Sequence, residues 1–229
     1  MTKIAVIGAM EEEINLILSR LEKNRIKEIG NFKFHICNYK SKEIIIMKSG
    51  IGKVNSAVGT QLMITHFSPD YVINTGIAGG ISKEVKVLDI ILASDTMQYD
   101  VDVTKFGYKL GQIPRMEKYI FNTDNNLLNH AKASLKNGDK YKIGRIVSGD
   151  KFISKKSTKQ FLDEKFGAMC ADMESGSIGH VCYINDTPYL AIRCISDDAD
   201  ESSHINYDKF EKEAANKSAE LVIDIIKKI

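Results

Sequence analysis

Short apolar runs that stop abruptly at a glycine or a carboxylate recur along this chain, and segments with helical spacing separate them. That alternation restricts the fold to an α/β sheet with helices on both faces. Strands are predicted at Ile4–Gly8, Phe32–Tyr39, Ile44–Ser49, Tyr71–Thr75, Asp89–Thr96, Tyr141–Ser148, Ala168–Asp172 and Tyr189–Ser196. Helices are predicted at Glu11–Lys23, Lys53–His66, Asp124–Lys136, Lys156–Phe166, Glu174–Ile184 and Tyr207–Lys228. The Phe32–Ser49 pair, joined through Lys40-Ser41-Lys42, reads as an antiparallel element, so the sheet is mixed. Pro69 and Pro188 precede strands, whereas Pro114 lies in an irregular stretch from Gln98 to Phe121. A stretch that long without structure in a compact domain points to a function or to a missed element.

A chain of 229 residues fits one domain, 1–229, with room for a substantial core. Its 32 basic and 30 acidic residues nearly balance, to a formal charge of +2, which advertises neither nucleic acid nor an anionic membrane as partner. Cys37, Cys170, Cys182 and Cys194 lack paired spacing and mostly sit in apolar runs, the usage of reduced, buried thiols. A zinc site from His180, Cys182 and Cys194 would lack a clear fourth ligand. The first strand is too short and glycine-stopped for a signal peptide, and no apolar run reaches transmembrane length. A cytoplasmic protein is the expectation.

Carboxylates recur where strands end. Glu11, Glu12 and Glu13 follow the first strand, Asp172 and Glu174 lie just beyond the apolar run Phe166–Cys170, and Asp197 lies just beyond the run Tyr189–Ile195. In open α/β sheets ligands bind at the carboxyl ends of strands, so acids gathered there suggest acid/base work on a neutral or cationic substrate and argue against a phosphate site. Each acid also has a simpler reading. Acids in a first helical turn stabilise the positive end of the dipole, Asp172 fits an N-cap, and Asp197, Asp198 and Asp200 fit an acidic turn. Helical phase separates the first three: Ile17 and Leu21 share the face of Glu13, while Glu12 runs with a mainly polar face. An acid on the inward face is paired or used. Two glycine turns, Ser49-Gly50-Ile51-Gly52-Lys53 and Asn74-Thr75-Gly76-Ile77-Ala78-Gly79-Gly80, allow a ligand close to backbone but match neither a dinucleotide nor a Walker loop. Phe152, just past a strand end, reads as core or as a stacking surface for a planar base.

Six segments in register carry a resemblance: Gly8-Ala-Met-Glu-Glu-Glu13, Asn74 to Gly80, Asp102-Val-Thr-Lys-Phe-Gly-Tyr108, Ser148-Gly-Asp-Lys-Phe-Ile153, Asp172-Met-Glu174 and Arg193-Cys-Ile-Ser-Asp197. Together they resemble bacterial 5′-methylthioadenosine/S-adenosylhomocysteine nucleosidases, from the first strand to the last helix. The resemblance implies a three-layer α/β/α fold of the nucleoside phosphorylase type, around a central mixed, partly closed sheet. It implies cofactor-free hydrolysis of the two adenine nucleosides, to adenine and a 5-thioribose product, in methionine salvage and the methyl cycle. By the same likeness Asp197 protonates adenine N7, Glu13 activates water and Glu174 binds the ribose hydroxyls. Phe152 stacks on adenine, the Ile153 backbone reads the purine edge and Met173 packs under the sugar. Met10, Ile51, Ile77, Ala78, Gly79, Arg193, Ser196 and Tyr207 resemble further pocket positions. Val103, Phe106, Tyr108 and Pro114 resemble the loop that a partner subunit lends to the 5′-thio pocket, which implies a homodimer with shared sites. Ile77 stands where some members carry serine, and Tyr207 where phenylalanine is common. A phosphorylase would need arginines and backbone donors for its phosphate, and the loop after the first strand offers glutamates instead. A futalosine-type hydrolase would use much the same acids.

Overall fold

The computed structural model describes residues 1–229 apart from 202, with backbone alone at 23 and 24. In chain order the strands are β1 (Thr2–Gly8), β2 (Glu22–Ile29), β3 (Phe32–Tyr39), β4 (Lys42–Lys48), β5 (Tyr71–Gly80), β6 (Ile90–Gln98), β7 (Phe121–Asn122), β8 (Tyr141–Ser148), β9 (Ala168–Asp172) and β10 (Tyr189–Asp197). The helices are α1 (Glu11–Arg20), α2 (Lys53–Phe67), α3 (Asn125–Ser134), α4 (Lys156–Phe166), α5 (Ser175–Ile184) and α6 (Ser203–Lys228).

All the strands join one mixed sheet. β5 has β10 parallel along one edge and β1 parallel along the other. Beyond β1 the sheet runs open through parallel β4 and antiparallel β3 and β2. Beyond β10 it curls: β6 pairs β10, β8 pairs β6, β9 pairs β8, and β9 returns to β5 at Gly79 and Gly80. Five strands therefore close on themselves, and five, β7 at the edge of β6 among them, do not, which makes the sheet mixed and partly closed as expected.

Alternation along the buried strands feeds two helical layers. Ile4 and Val6 of β1 join Ile14 and Ile17 of α1, Leu127 of α3 and Val222 and Ile225 of α6. Ala5 and Ile7 face the opposite way, toward Met63 and Phe67 of α2 and Ile178 and Cys182 of α5. Pairing both faces of a strand with helices explains why β1 and β10 read as continuous apolar runs.

The structure departs from the sequence expectation at four places. Helix α1 stops at Arg20, and Glu22–Ile29 is a strand. Its charged residues Glu22, Arg25, Lys27 and Glu28 disguise it, but an edge strand tolerates charges, which also discourage pairing with another molecule. β5 continues past Thr75 through Gly76-Ile77-Ala78-Gly79-Gly80, because strand neighbours override the low strand preference of glycine. β7 is a two-residue strand at the end of the irregular stretch, which otherwise contains a single 3₁₀ turn at Thr104–Phe106. Helix α6 begins at Ser203 rather than Tyr207.

Candidate active site

The carboxyl ends of β1, β4, β5, β8, β9 and β10 and the start of α6 surround a cavity of about 380 Å³. Glu13, Glu174 and Asp197 all line it, and each is at least nine-tenths buried. Burial on that scale makes each carboxylate's partners decide what it can do.

Glu13 is held by the fold itself. At the third position of α1 its Oε2 accepts the N–H groups of Ala9 (2.5 Å) and Met10 (3.1 Å), so the side chain reaches back to the helix start. Its Oε1 accepts the N–H of Ile77 (3.0 Å), across the cavity floor. That N–H is available because the edge of β5 changes partner: β1 pairs residues 71–74, β9 pairs 79–80, and the interval between them faces Glu13. A Cβ on Gly76 would come within 2.2 Å of Oε1, so glycine there makes room for the carboxylate. Burial raises the Glu13 pKa; the nearby Arg193 charge and three backbone donors pull the other way.

Glu174 and Asp197 are held differently. Glu174 Oε1 accepts the N–H of Gly52 (2.8 Å), at the start of α2, which leaves its other oxygen for the cavity. Burial and then Asp172 push its pKa up to about 8 against the opposing Arg193. Asp197 accepts from Ala199 N–H (2.9 Å) and the Ser196 hydroxyl (2.8 Å), and burial outweighs these bonds to raise its pKa as well. Beneath all three acids lies a charged cluster in the protein interior. Arg193 donates to Asp172 Oδ2 (2.8 Å from Nε, 2.7 Å from the terminal nitrogen) and to Asn74 Oδ1 (2.5 Å). Asp172 also accepts from the hydroxyls of Ser148 and Ser175.

A profile of the phosphorylase superfamily matches residues 3–227. A 5′-methylthioadenosine/S-adenosylhomocysteine nucleosidase of Bacillus velezensis is 39% identical over 99% of both chains. The crystal structure of the nucleosidase of that name from Neisseria meningitidis, in complex with methylthio-immucillin-A, is 38% identical, covers 100% of both chains and superposes with a TM-score of 0.96. The futalosine hydrolase of Helicobacter pylori strain 26695 is 35% identical, with a TM-score of 0.95 over 100% of this chain and 98% of its own. The chain belongs to the 5′-methylthioadenosine/S-adenosylhomocysteine nucleosidase family of the phosphorylase superfamily.

In this member of the nucleosidase family most of the expected pocket residues meet. Met10, Ile51, Phe152, Ile153, Met173, Ser196 and Tyr207 line the cavity, as do Ile77, Ala78 and Gly79 on β5. Phe152 is half exposed and stands edge-on to Tyr207, with ring centres 6.0 Å apart. The Tyr207 hydroxyl donates to Glu211 (2.8 Å) and lies 3.4 Å from Met10 Sδ. Arg193 is placed otherwise than expected: it lies below the cavity wall, occupied by Asp172 and Asn74, and does not line the cavity. A strand buried on both faces gives no alternation from which to read that depth. Val103, Phe106, Tyr108 and Pro114 stand outside their own chain's cavity, with Phe106 82% exposed on the 3₁₀ turn. Ala9, Lys151, Ala171, Asp172, His204 and Asp208 also line it. Adjacency in sequence to Met10, Phe152, Asp172 and Tyr207 is the signal that could have found Ala9, Lys151, Ala171 and Asp208; His204 follows from the earlier start of α6. Among the described residues no group of three His, Cys, Asp or Glu side chains is arranged to hold a metal ion, and the four cysteines are buried and form no disulfide. No helix among them is long and apolar enough to cross a membrane.

The raised carboxyls of this nucleosidase family member have a consequence for stability. Between pH 4.5, the ordinary glutamate value, and about 8, Glu174 is protonated in the folded chain but ionised in the unfolded one. Folding then takes up a proton, so this group's contribution falls as pH rises through that window, by at most about 1.4 kcal/mol per pH unit. Glu13 and Asp197, also raised, act in the same direction. The free protein is expected to melt at higher temperature at pH 5.5 than at pH 8, and Glu174→Gln is expected to flatten the slope. A variant with the wild-type slope would contradict the assignment.

Proposed function

We propose that this chain, acting as one nucleosidase domain, hydrolyses the N-glycosidic bond of 5′-methylthioadenosine and S-adenosylhomocysteine, with release of adenine and the 5-thioribose product. The observation that carries the reading is three buried carboxylates, each with different hydrogen-bond partners, around one cavity of nucleoside size.

Breaking the C1′–N9 bond leaves negative charge on the purine and positive charge on the ribosyl ring. Asp197, whose pKa burial raises, is the acid that gives a proton to N7, so adenine leaves neutral. Glu174 accepts the ribose hydroxyls with the oxygen that Gly52 leaves free. Its pKa of about 8 holds much of it protonated at neutral pH in the free protein. A ring gaining positive charge favours the ionised form, so its charge is strongest in the transition state, where charge-assisted bonds help most. Glu13 takes the proton of the attacking water on the other side of the sugar, the two-carboxylate arrangement of inverting glycosidases.

Phe152 stacks on the base, the Ile153 backbone reads its edge and Met173 packs below the sugar. Met10, Ile51 and Tyr207 surround the 5′ substituent. Ala78 and Gly79 face the nucleoside, Ser196 orients Asp197, and Arg193 acts on the site through its charge rather than by touching substrate. Among the described residues no arginine lines the cavity, which disfavours a bound phosphate nucleophile. A futalosine-like nucleoside is the second reading, supported by the likeness to a futalosine hydrolase. The protein works in the cytoplasm, within methionine salvage, as a homodimer. Exposed apolar side chains support the dimer: Val54 and Val58 on α2, Tyr183 and Ile184 on α5, and Phe106.

Incubation with methylthioadenosine, with and without phosphate, tests the activity. Free methylthioribose in both is expected; a sugar 1-phosphate, or no adenine, would sink the reading. A panel that adds adenosylhomocysteine and futalosine ranks the substrates. For the dimer, Phe106→Ala is expected to raise KM and weaken association, and an active wild-type monomer in sedimentation would end that part of the reading.

A further inference from the structure

The first turn of α2 holds two carboxylates from two different loops. Gly52 N–H is bound to Glu174, and the next N–H, that of Lys53, is bound to Asp150 Oδ1 at 2.8 Å. The Lys53 ammonium turns to a third segment and meets Asp100 Oδ1 at 2.7 Å. Asp100 Oδ2 in turn accepts the N–H of Asp150 at 3.2 Å. Lys53, Asp100 and Asp150 thus close a ring of hydrogen bonds, and none of them lines the cavity.

Two of the three segments so joined carry part of the site. The turn after β4 carries Ile51 and the N–H that holds Glu174; the turn after β8 carries Phe152 and Ile153 within three residues of Asp150. Asp100 opens the irregular stretch that follows β6. Gly52 has a φ of +98°, and a Cβ there would stand 3.1 Å from Asp150 Oδ1, so this approach of the two turns is built around a glycine.

We propose that Lys53, Asp100 and Asp150 form a lock that sets the distance between the base-binding turn and the ribose-binding carboxylate, which makes Lys53 and Asp100 positioning residues for nucleoside binding. The inference rests on the nucleosidase reading. An exposed ion pair would be worth little, but these two side chains are only 20% and 23% exposed and each segment is also tied by a backbone donor. The ammonium also offsets a repulsion, because it sits beside one of two neighbouring carboxylates that oppose each other without it. Removing the lysine therefore does more harm than neutralising one aspartate, and doing both restores much of the loss.

The test is steady-state release of adenine from methylthioadenosine by the full chain. Lys53→Met is expected to raise KM about tenfold with kcat within about twofold of wild type. Asp100→Asn is expected to raise KM about threefold, Lys53→Arg to stay near wild type, and the Lys53→Met/Asp100→Asn pair to recover to within about threefold. Coupling of this kind is what contacting residues show. An unchanged KM in Lys53→Met, a loss in kcat alone, or a double variant worse than either single change would overturn the lock. If Lys53→Met does not fold, Asp100→Asn decides, and an unchanged KM there overturns it. Wild-type protein that releases no adenine removes the nucleosidase reading and the lock with it; wild-type activity with unresponsive variants removes the lock alone.

Discussion

Asp197→Asn is expected to lower kcat for methylthioadenosine by about 10³-fold and to leave the affinity for an unreactive adenine nucleoside within a few-fold. General acid catalysis is typically worth about 10²–10⁴-fold, and adenine is a poor leaving group without its proton. The amide keeps the size of the acid, and its oxygen still accepts Ala199 N–H, which lies 2.9 Å from the carboxylate. Its NH₂ group can donate to the Ser196 hydroxyl, which reverses direction at little cost. Fold and binding therefore survive while the proton is lost. A riboside whose leaving group departs as a stable anion, such as a p-nitrophenyl riboside, is expected to lose far less. A rate within about tenfold of wild type on methylthioadenosine would remove Asp197 as the acid.

Arg193→Met is expected to destabilise the protein by about 3–5 kcal/mol, the usual consequence of leaving one member of a buried ion pair without the other. The guanidinium is 2% exposed and satisfies both Asp172 and Asn74. Burial works against its charge, but the facing carboxylates Asp172, Glu13 and Glu174 more than offset this and raise its pKa. Without it, Asp172 keeps only hydroxyl and backbone donors, and Glu13 and Glu174 lose the one cation that opposes their rise. At about 2–4 °C per kcal/mol for a chain of this size, the melting temperature falls by roughly 10 °C. Adding Asp172→Asn to Arg193→Met is expected to return part of the loss, because it removes the orphaned charge. Chemical denaturation of the four proteins of that cycle checks this, and a loss below about 1 kcal/mol for Arg193→Met would contradict it.

The parts legible in the sequence were those where one force acts alone. β1, β4 and β10 are buried on both faces, so burial wrote them as apolar runs, and glycine or acid marked their ends. Glu13 was separable from Glu12 because helical phase is a local property, and the structure buries the first while it exposes the second. The illegible parts were those where tertiary pairing overrules local preference. β2 is written in charges because it is an edge, and the end of β5 is written in glycines because Glu13 and Ala199 press against it. Arg193 falls near the functional acids in the sequence, and only three-dimensional depth separates this residue under the wall from those in it.

The interrupted edge of β5 has a practical consequence. Glu13 is the acceptor that completes the sheet where β1 gives way to β9, and it receives backbone N–H groups at both of its oxygens. Glutamine has one oxygen and one NH₂, so Glu13→Gln sets a donor against a donor at one end or the other. A change there alters the scaffold as well as the chemistry, and its kinetics mix the two. An inactive form meant to hold intact substrate for crystallography belongs at Asp197, whose partners accept an amide.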